Sequence, residues 1–301
     1  YYHTANLRYS FWDWEQITEE DLYAKPGWMM PGNREAFRFL NRMYDEGLLD
    51  PDFALDQFSR QFRKDLVNGR AAGGTTNTNE PVYMGYLADL DARDPEAVLT
   101  PIDPFADKDG RTPKPLLEKI GMYIMVPAAS HNAEAAVKYL NWMAQPEHYI
   151  TLQNGLPGVT FEWKDGLPVM LQNEETKRML YNYFDYCIIL NGKFVSEDDM
   201  ELNVWANAVI DPRHESFTLQ SLAYAMKDAV ETPQIKAILE SEIKYGSILR
   251  EKEEEMFVRI VTAPPETFDA AYDEEVEAYM KLGGQQMMEE KLAAYRGQSG
   301  K

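Results

Sequence analysis

The stretch GMYIMVPAASHNAEAAVKYLNWM, residues 121–143, predicts a strand, a turn and a helix in succession. Its apolar run MYIMV (122–126) lies between a glycine and a proline, which is the pattern of a buried strand. A helix is predicted to begin near Asn132, with Glu134 in its first turn, where the helix dipole favours an anion. Apolar residues then recur at helical spacing, at Val137, Leu140, Met143 and Ala144.

On the N-terminal side of this stretch, the sequence predicts two helices and a strand. The first helix has Asn33 as its N-cap, because an asparagine side chain accepts from a free backbone N–H. It ends at Gly47, which suits a left-handed cap. A second helix is predicted over 54–68, a short strand over 70–76 and an extended surface passage over 88–118.

On the C-terminal side, residues 155–169 predict a β-hairpin with the sequence KDG (164–166) in its turn. The last hundred residues are predicted to be mostly helical. One helix must end near Ala263, because two prolines follow it. The next begins at Thr267 and carries one apolar face, made of Phe268, Tyr272, Val276 and Tyr279.

Composition excludes several classes of function. The 301 residues include 50 acidic and 30 basic ones, for a net charge of −20. That charge argues against nucleic-acid binding, which needs a basic surface, and against docking on an anionic membrane. Uncharged stretches are shorter than the roughly 20 residues of a membrane-spanning helix. The single cysteine, Cys187, excludes an internal disulfide and any site built from several cysteines.

No pattern of catalytic residues stands out. The sequence has no nucleophile elbow, P-loop, dinucleotide fingerprint or HExxH motif. Cys187 lies in an apolar run and is predicted to be a buried structural thiol. Asp103, Asp107 and Asp109 faintly resemble a calcium loop, but their spacing is wrong and no glutamate closes it, so a solvated turn is the favoured prediction. We therefore expect no enzyme, no cofactor and no metal site, with calcium left open.

Three segments, in order along the chain, resemble extracellular solute-binding proteins, family 1. In that family a turn of the PxxSxNxEAA kind follows a strand that crosses between lobes, and the next helix ends in KYLxWM, as in residues 121–143. Residues 35–53 (EAFRFLNRMYDEGLLDPDF) and 65–74 (DLVNGRAAGG) are similar to further segments of the family. Residues 266–296 resemble the C-terminal helices of a Gram-positive branch associated with oligosaccharide uptake.

The resemblance implies a fold and a division of the chain. The expected fold is a helix-rich, two-lobed α/β clamshell of the periplasmic-binding-protein type II, with the ligand cleft at the hinge. Residues 1–120 would be mostly second lobe, 121–190 the crossing strand and the return to the first lobe, and 191–301 a helical part that packs on the second lobe and hinge. Full members begin with a signal peptide, a lipobox cysteine and most of the first lobe, so the N-terminal part is expected to be missing here.

The resemblance also implies a function. Such proteins are non-enzymatic components of ABC importers that capture a sugar or oligosaccharide outside the cell and deliver it to membrane permease subunits. We expect a monomer at the cell surface, lipid-anchored in its full-length precursor. A sugar site needs aromatic platforms and neutral amides, because sugars offer apolar ring faces and many hydroxyls. The implied ligand-binding residues are Asn77, Asn79, Tyr83, Tyr123 and Tyr224.

Two alternatives remain open from the sequence. The many carboxylates could supply a pair for a carbohydrate hydrolase. The acidic C-terminal helices (251–290) could instead dock a partner protein, as in a ligand sensor or scaffold. For each implied aromatic residue, ordinary packing is the alternative to ligand binding.

Overall fold

A computed structural model of the chain describes residues 4–56, 60–78, 80–103, 105–116, 124–179, 194–198, 202, 205–206, 212–231 and 237–299. The chain forms two compact units, and each unit is made of segments that are separated in the sequence by segments of the other. Unit 1 consists of Tyr1–Thr75, Asp103–Leu117 and Ala225–Lys301, and unit 2 of Thr76–Ile102 and Glu118–Tyr224. The three lobe ranges predicted from the sequence stay a prediction.

Helices dominate both units. In chain order, the helices of the described residues are α1 (Ala5–Phe11), α2 (Glu19–Ala24), α3 (Asn33–Asp45), α4 (Arg60–Val67), α5 (Glu80–Tyr83), α6 (Tyr86–Arg93), α7 (Ala133–Met143), α8 (Pro146–Asn154), α9 (Glu174–Met179), α10 (Glu215–Met226), α11 (Glu240–Val261), α12 (Phe268–Tyr279) and α13 (Gln285–Ser299). The strands are β1 (Lys114–Leu116), β2 (Phe161–Lys164), β3 (Leu167–Met170) and β4 (Ala229–Glu231). Strand β1 pairs with β4 in parallel, and β2 pairs with β3 in antiparallel fashion. No helix in these described ranges has both the length and the apolarity that a bilayer crossing requires.

The main core of unit 1 lies between α3, α11 and α12. Its members are apolar residues at helical spacing, including Phe37, Leu40, Ile260, Val261, Phe268, Tyr272 and Tyr279. Helix α11 ends at Val261, just before the two prolines, and α12 begins at Phe268, so both predicted boundaries are confirmed. Three of the four residues predicted for the apolar face of α12 are buried, and Val276 is partly buried against them.

Asn41 connects α3 to the C-terminal end of α11. Its side-chain amide is buried and donates to the carbonyl oxygens of Val261 at 2.9 Å and Ala263 at 2.7 Å. A helix leaves its last carbonyls without intrahelical partners, so a side chain from another helix has to satisfy them when they are buried.

Two aromatic residues near the N-terminus, Tyr9 and Trp12, are buried. The rings of Tyr9 and Trp12 stack with centroids 4.1 Å apart, and the Trp12 indole N–H donates to the Asn33 side chain at 3.0 Å. The prediction that Asn33 caps α3 is therefore wrong, since its side chain is engaged by Trp12. Gly32 is the N-cap, with φ of 87°, and a Cβ there would lie 2.1 Å from the Phe11 carbonyl oxygen.

Other predictions near the N-terminus are wrong in part. Residues 71–77 form no regular element, because no partner strand lies beside them among the described residues. The helix predicted over 54–68 is split into a short 3₁₀ turn, Phe53–Leu55, and α4. The passage 88–118, predicted to be extended, contains most of α6 and all of β1. Gly47 has φ of 69°, which confirms the left-handed end predicted after α3.

Unit 2 contains the predicted hairpin. Strands β2 and β3 meet at Asp165 and Gly166, whose φ values of 52° and 81° are those of a tight hairpin turn. Helix α7 begins after Asn132, as predicted. Its predicted apolar stripe is wrong, because Met143 is buried but Val137 is 58% exposed.

The buried strand predicted over 122–126 is wrong where the structure describes it. Residues 124–126 are not in a strand, and Met125 is 84% exposed. An apolar run shows that burial would be favourable, but it does not supply the surface that buries it. Met122 and Tyr123 of this run, and Cys187, lie outside the described residues.

Candidate functional site

A short polar loop, made of residues 76–78 and Glu80, lies against helix α10 in unit 2. The hydroxyl of Ser221 on α10 donates a hydrogen bond to the carbonyl oxygen of Thr78, 143 positions away in the chain. Within the loop, the Glu80 N–H donates to the Asn77 carbonyl at 3.2 Å, and the Asn77 N–H donates to the Glu80 carboxylate at 3.3 Å. We call this loop and the facing part of α10 the loop–helix junction.

The buried carboxylate of Glu80 fixes the far end of the loop. It accepts a hydrogen bond of 2.7 Å from the hydroxyl of Tyr86, which is also buried. A buried carboxylate needs such donors, because leaving it without them costs several kcal/mol. The loop is therefore held at Thr78 by Ser221 and at Glu80 by Tyr86, while the side chain of Asn77 is exposed.

Two of the five predicted ligand-binding residues lie at this junction. Asn77 is adjacent to Thr78, and Tyr224 lies three positions after Ser221, on the same side of α10. The hydroxyl of Tyr224 accepts from the Gln220 amide at 3.0 Å, and its side chain is half-buried. The junction thus offers an exposed amide and an aromatic ring, the two kinds of group that a sugar site uses.

The other three predicted residues are not placed. Asn79 and Tyr123 lie outside the described residues, and Tyr83 lies on α5 with its side chain outside the described part. Their role as ligand contacts stays a prediction.

Sequence reasoning did not predict the roles of Ser221, Glu80 and Tyr86, which hold the junction together. A serine and a tyrosine three positions apart predict a shared helix face, so the pair at 221 and 224 carried a signal. No sequence signal indicated the hydrogen bonds from Ser221 to Thr78 and from Tyr86 to Glu80, because the choice of partner depends on the folded structure.

A buried histidine anchors the start of α10. His214 Nε2 lies 2.9 Å from the Asp91 carboxylate on α6, and the Thr218 hydroxyl donates to the His214 carbonyl at 3.2 Å. This contact fixes α10 against α6 at the end opposite Tyr224. It is a structural contact that keeps the junction in place.

The acidic loop 103–111 in unit 1 is occupied by the protein's own cations. Both Arg111 and the backbone N–H of Asp109 donate to Asp107, which is buried. Residues 108–110 form the predicted solvated turn, since all three are exposed. Asp103 pairs with Lys114 and Lys227, each at 2.9 Å. Burial disfavours the charge of Asp103, but hydrogen bonds from Lys227 and Lys114 outweigh it and hold the pKa of this carboxyl below its ordinary value. In the described parts of the chain, no group of three or more His, Cys, Asp or Glu side chains could hold a metal ion.

Comparison with known proteins gives weak sequence matches and a clear structural one. No family model matches the sequence. The chain is 26% identical over 140 residues to an uncharacterized protein in the butB 5′ region of Niallia circulans, which is 44% of this chain and 50% of that protein. It is also 26% identical over 154 residues to lipoprotein LipO of Bacillus subtilis (strain 168), which is 50% of this chain and 30% of LipO.

Among solved structures, the chain is similar to the alginate-binding protein AlgQ2 in a crystal structure without calcium ion. The TM-score is 0.60 at 15% sequence identity, over 88% of this chain and 54% of AlgQ2. The expected fold class is confirmed: this is a helix-rich α/β chain with the fold of a periplasmic-type solute-binding protein. It spans about half the length, or less, of the proteins it matches.

Proposed function

We propose that the chain belongs to a non-enzymatic solute-binding protein that binds a sugar or oligosaccharide outside the cell and delivers it to an ABC permease. Its fold is that of AlgQ2, which binds alginate, and this similarity extends over 88% of the chain. One of its relatives is a lipoprotein, which supports a position at the cell surface. The protein acts as a monomer, with membrane permease subunits as its partners.

The loop–helix junction is the observation that carries the sugar proposal. Sugar hydroxyls pair with neutral amides, and a pyranose ring packs its apolar face on an aromatic ring. Asn77 and Tyr224 supply these groups at one place in unit 2. The hydrogen bonds to Thr78 and Glu80 hold the loop before any ligand arrives, which reduces the ordering cost of binding.

Calorimetric titration with a panel of neutral and acidic oligosaccharides tests this function. Tyr224→Ala and Asn77→Ala are each expected to weaken binding by about five- to tenfold, the worth of one aromatic contact or one hydrogen bond of about 1 kcal/mol. Tyr139→Ala is the matched control, because Tyr139 is an exposed tyrosine on α7 of the same unit, and it should bind like the parent chain.

Three outcomes would count against the proposal. Parent-like affinity in both junction variants would remove the junction from the site. Absence of binding by every oligosaccharide would remove the sugar as ligand. Recovery of cleaved sugar after incubation would favour the hydrolase alternative over a binding protein.

A further inference from the structure

Unit 1 contains a cavity of about 260 Å³ that the proposed sugar site does not use. Its wall is formed by one face of α11, by the first half of α13 and by the last residue of α12. Residues of α1, α2 and the 3₁₀ turn Gly27–Met29 complete it. Every element that lines it belongs to unit 1. The cavity is therefore a feature of one compact unit.

One side of the cavity is aromatic and apolar. Trp28 is only 2% exposed, and its ring meets the Tyr279 ring edge-on, with centroids 4.8 Å apart. The buried side chain of Met287 lies on the same wall. The Trp28 indole N–H donates to the Glu253 carboxylate at 3.4 Å, which holds the ring in place. This side therefore gives the cavity an apolar wall.

The remaining wall of the cavity carries positively charged side chains that an anionic ligand could contact. Arg8 lines the cavity and is only 9% exposed, and Lys291 lines it in a half-buried position. The third cation, Arg250, pairs with Glu242 at 3.1 Å. Three cations and two carboxylates thus face a cavity in a protein whose net charge is −20.

Lys291 is the cation that a ligand can use. Within the described ranges, no carboxylate pairs with its ammonium group, and no other group hydrogen-bonds to it. Because Lys291 is half-buried, solvent screens an anion beside it less than it would beside a fully exposed lysine.

From this arrangement we infer that the cavity is a binding site for a small, ring-sized monocarboxylate. The carboxylate pairs with Lys291 near Arg8, and the rest of the molecule lies against the wall that Trp28 and Tyr279 line. The size fits a single ring, because 260 Å³ lies just below the range of roughly 300–1,000 Å³ typical of drug-sized ligands. The proposal is independent of the sugar site in unit 2.

Two kinds of molecule carry this chemistry, a sugar acid and an aromatic acid, and matched probes distinguish them. Calorimetric titration should compare glucuronate with glucose, and benzoate with benzyl alcohol. We expect at least one carboxylate to bind about tenfold or more tightly than its neutral counterpart, because a charge-assisted hydrogen bond is roughly twice as strong as a neutral one. The acid that binds more tightly shows whether the ligand is a sugar acid or an aromatic acid.

Variants at residue 291 test the assignment of the cation. Lys291→Met should weaken carboxylate binding by about tenfold, while Lys291→Arg, which keeps the charge, should retain it. The control is Lys164→Met, which removes an exposed charge from unit 2. Met288→Trp places a larger side chain in the cavity wall and should block the binding of both acids. This second variant tests the cavity even if the Lys291→Met variant fails to fold.

The proposal is overturned if neither acid binds the parent chain, or if the neutral counterparts bind as tightly as the acids. It is also overturned if a folded Lys291→Met or Met288→Trp variant binds like the parent. If the parent chain binds a carboxylate but no oligosaccharide, the proposed function is contradicted and this inference stands.

Discussion

The carboxylate of Glu290 on α13 accepts a hydrogen bond of 2.7 Å from the backbone N–H of Ser241, in the first turn of α11. It accepts a second, of 2.9 Å, from the N–H of Glu240. The first N–H groups of a helix lack intrahelical partners, and an anion is favoured beside them. With Asn41 at the C-terminal end, the 22-residue helix α11 is capped at both ends by side chains from other helices.

Glu290→Gln should lower stability in a pH-dependent way. Ser241, first through its side chain and then through its backbone N–H, holds the pKa of the Glu290 carboxyl below its ordinary value. A depressed pKa contributes stability above the unfolded-state value of about 4.3, and this stability is lost as the pH falls through the folded-state value. Thermal unfolding of the variant and the parent chain should therefore differ at pH 7 and converge in acid.

The control for this prediction is Glu254→Gln, on the exposed side of α11. It should unfold like the parent at every pH. A difference between the Glu290→Gln variant and the parent that stays constant down to pH 3 would show that the charge of Glu290 does not stabilise α11.

Asn41→Ala should destabilise unit 1 by about 1–3 kcal/mol, because it leaves buried carbonyl oxygens of α11 without a donor. Urea denaturation measures the change in the free energy of unfolding. Asn132→Ala, at the N-cap of α7 where the side chain makes no capping bond, should change stability by less than about 0.5 kcal/mol. Equal effects at the two positions would contradict this role for Asn41.

Gly155→Ala and Gly158→Ala form a second matched pair. Both glycines have positive φ, 82° and 75°, so both variants lose about 1–2 kcal/mol from backbone strain. A Cβ at Gly155 would also lie 2.2 Å from the Thr160 hydroxyl, whereas one at Gly158 would have nothing within 4 Å. Gly155→Ala should therefore cost about 1–3 kcal/mol more in urea denaturation. Equal losses would mean that Thr160 moves aside freely.

Tyr86→Phe should disturb the loop–helix junction without touching its exposed groups. It removes the 2.7 Å donor to the buried Glu80 carboxylate, which costs about 1.5–3 kcal/mol for a hydrogen bond to a charged group. Sugar affinity should fall as well, because the loop that presents Asn77 is held less firmly. The control is Tyr44→Phe, at a half-buried tyrosine of unit 1, which should leave both stability and sugar affinity unchanged. If the Tyr86→Phe variant has the stability and affinity of the parent chain, the contact between Tyr86 and Glu80 does not support the site.

Local chemistry in the sequence was sufficient for several elements of the fold. The turn at Asp165 and Gly166 needs positive φ at both positions, and aspartate followed by glycine is the usual choice. The break after Val261 follows from prolines, which cannot continue a helix. Tyr272 and Tyr279 are buried because their spacing places both on one face of α12.

Long-range partners could not be predicted in this way. Asn41 and Val261 are 220 positions apart, and nothing near either one in sequence indicates the other. The same holds for Glu290 and Ser241, and for the cavity beside Lys291. At the candidate site, family resemblance pointed to Asn77 and Tyr224, but the contacts from Ser221 and Tyr86 that hold the loop depend on the folded chain.

The most direct test of sugar binding is a thermal-unfolding screen of the chain against neutral and acidic oligosaccharides. A ligand at 100 times its dissociation constant stabilises the folded state by about 2.7 kcal/mol, which raises the unfolding temperature by a few degrees. We expect at least one oligosaccharide to give such a shift, and Tyr224→Ala to reduce it. A chain that unfolds cooperatively at the same temperature with every oligosaccharide would contradict the proposed function.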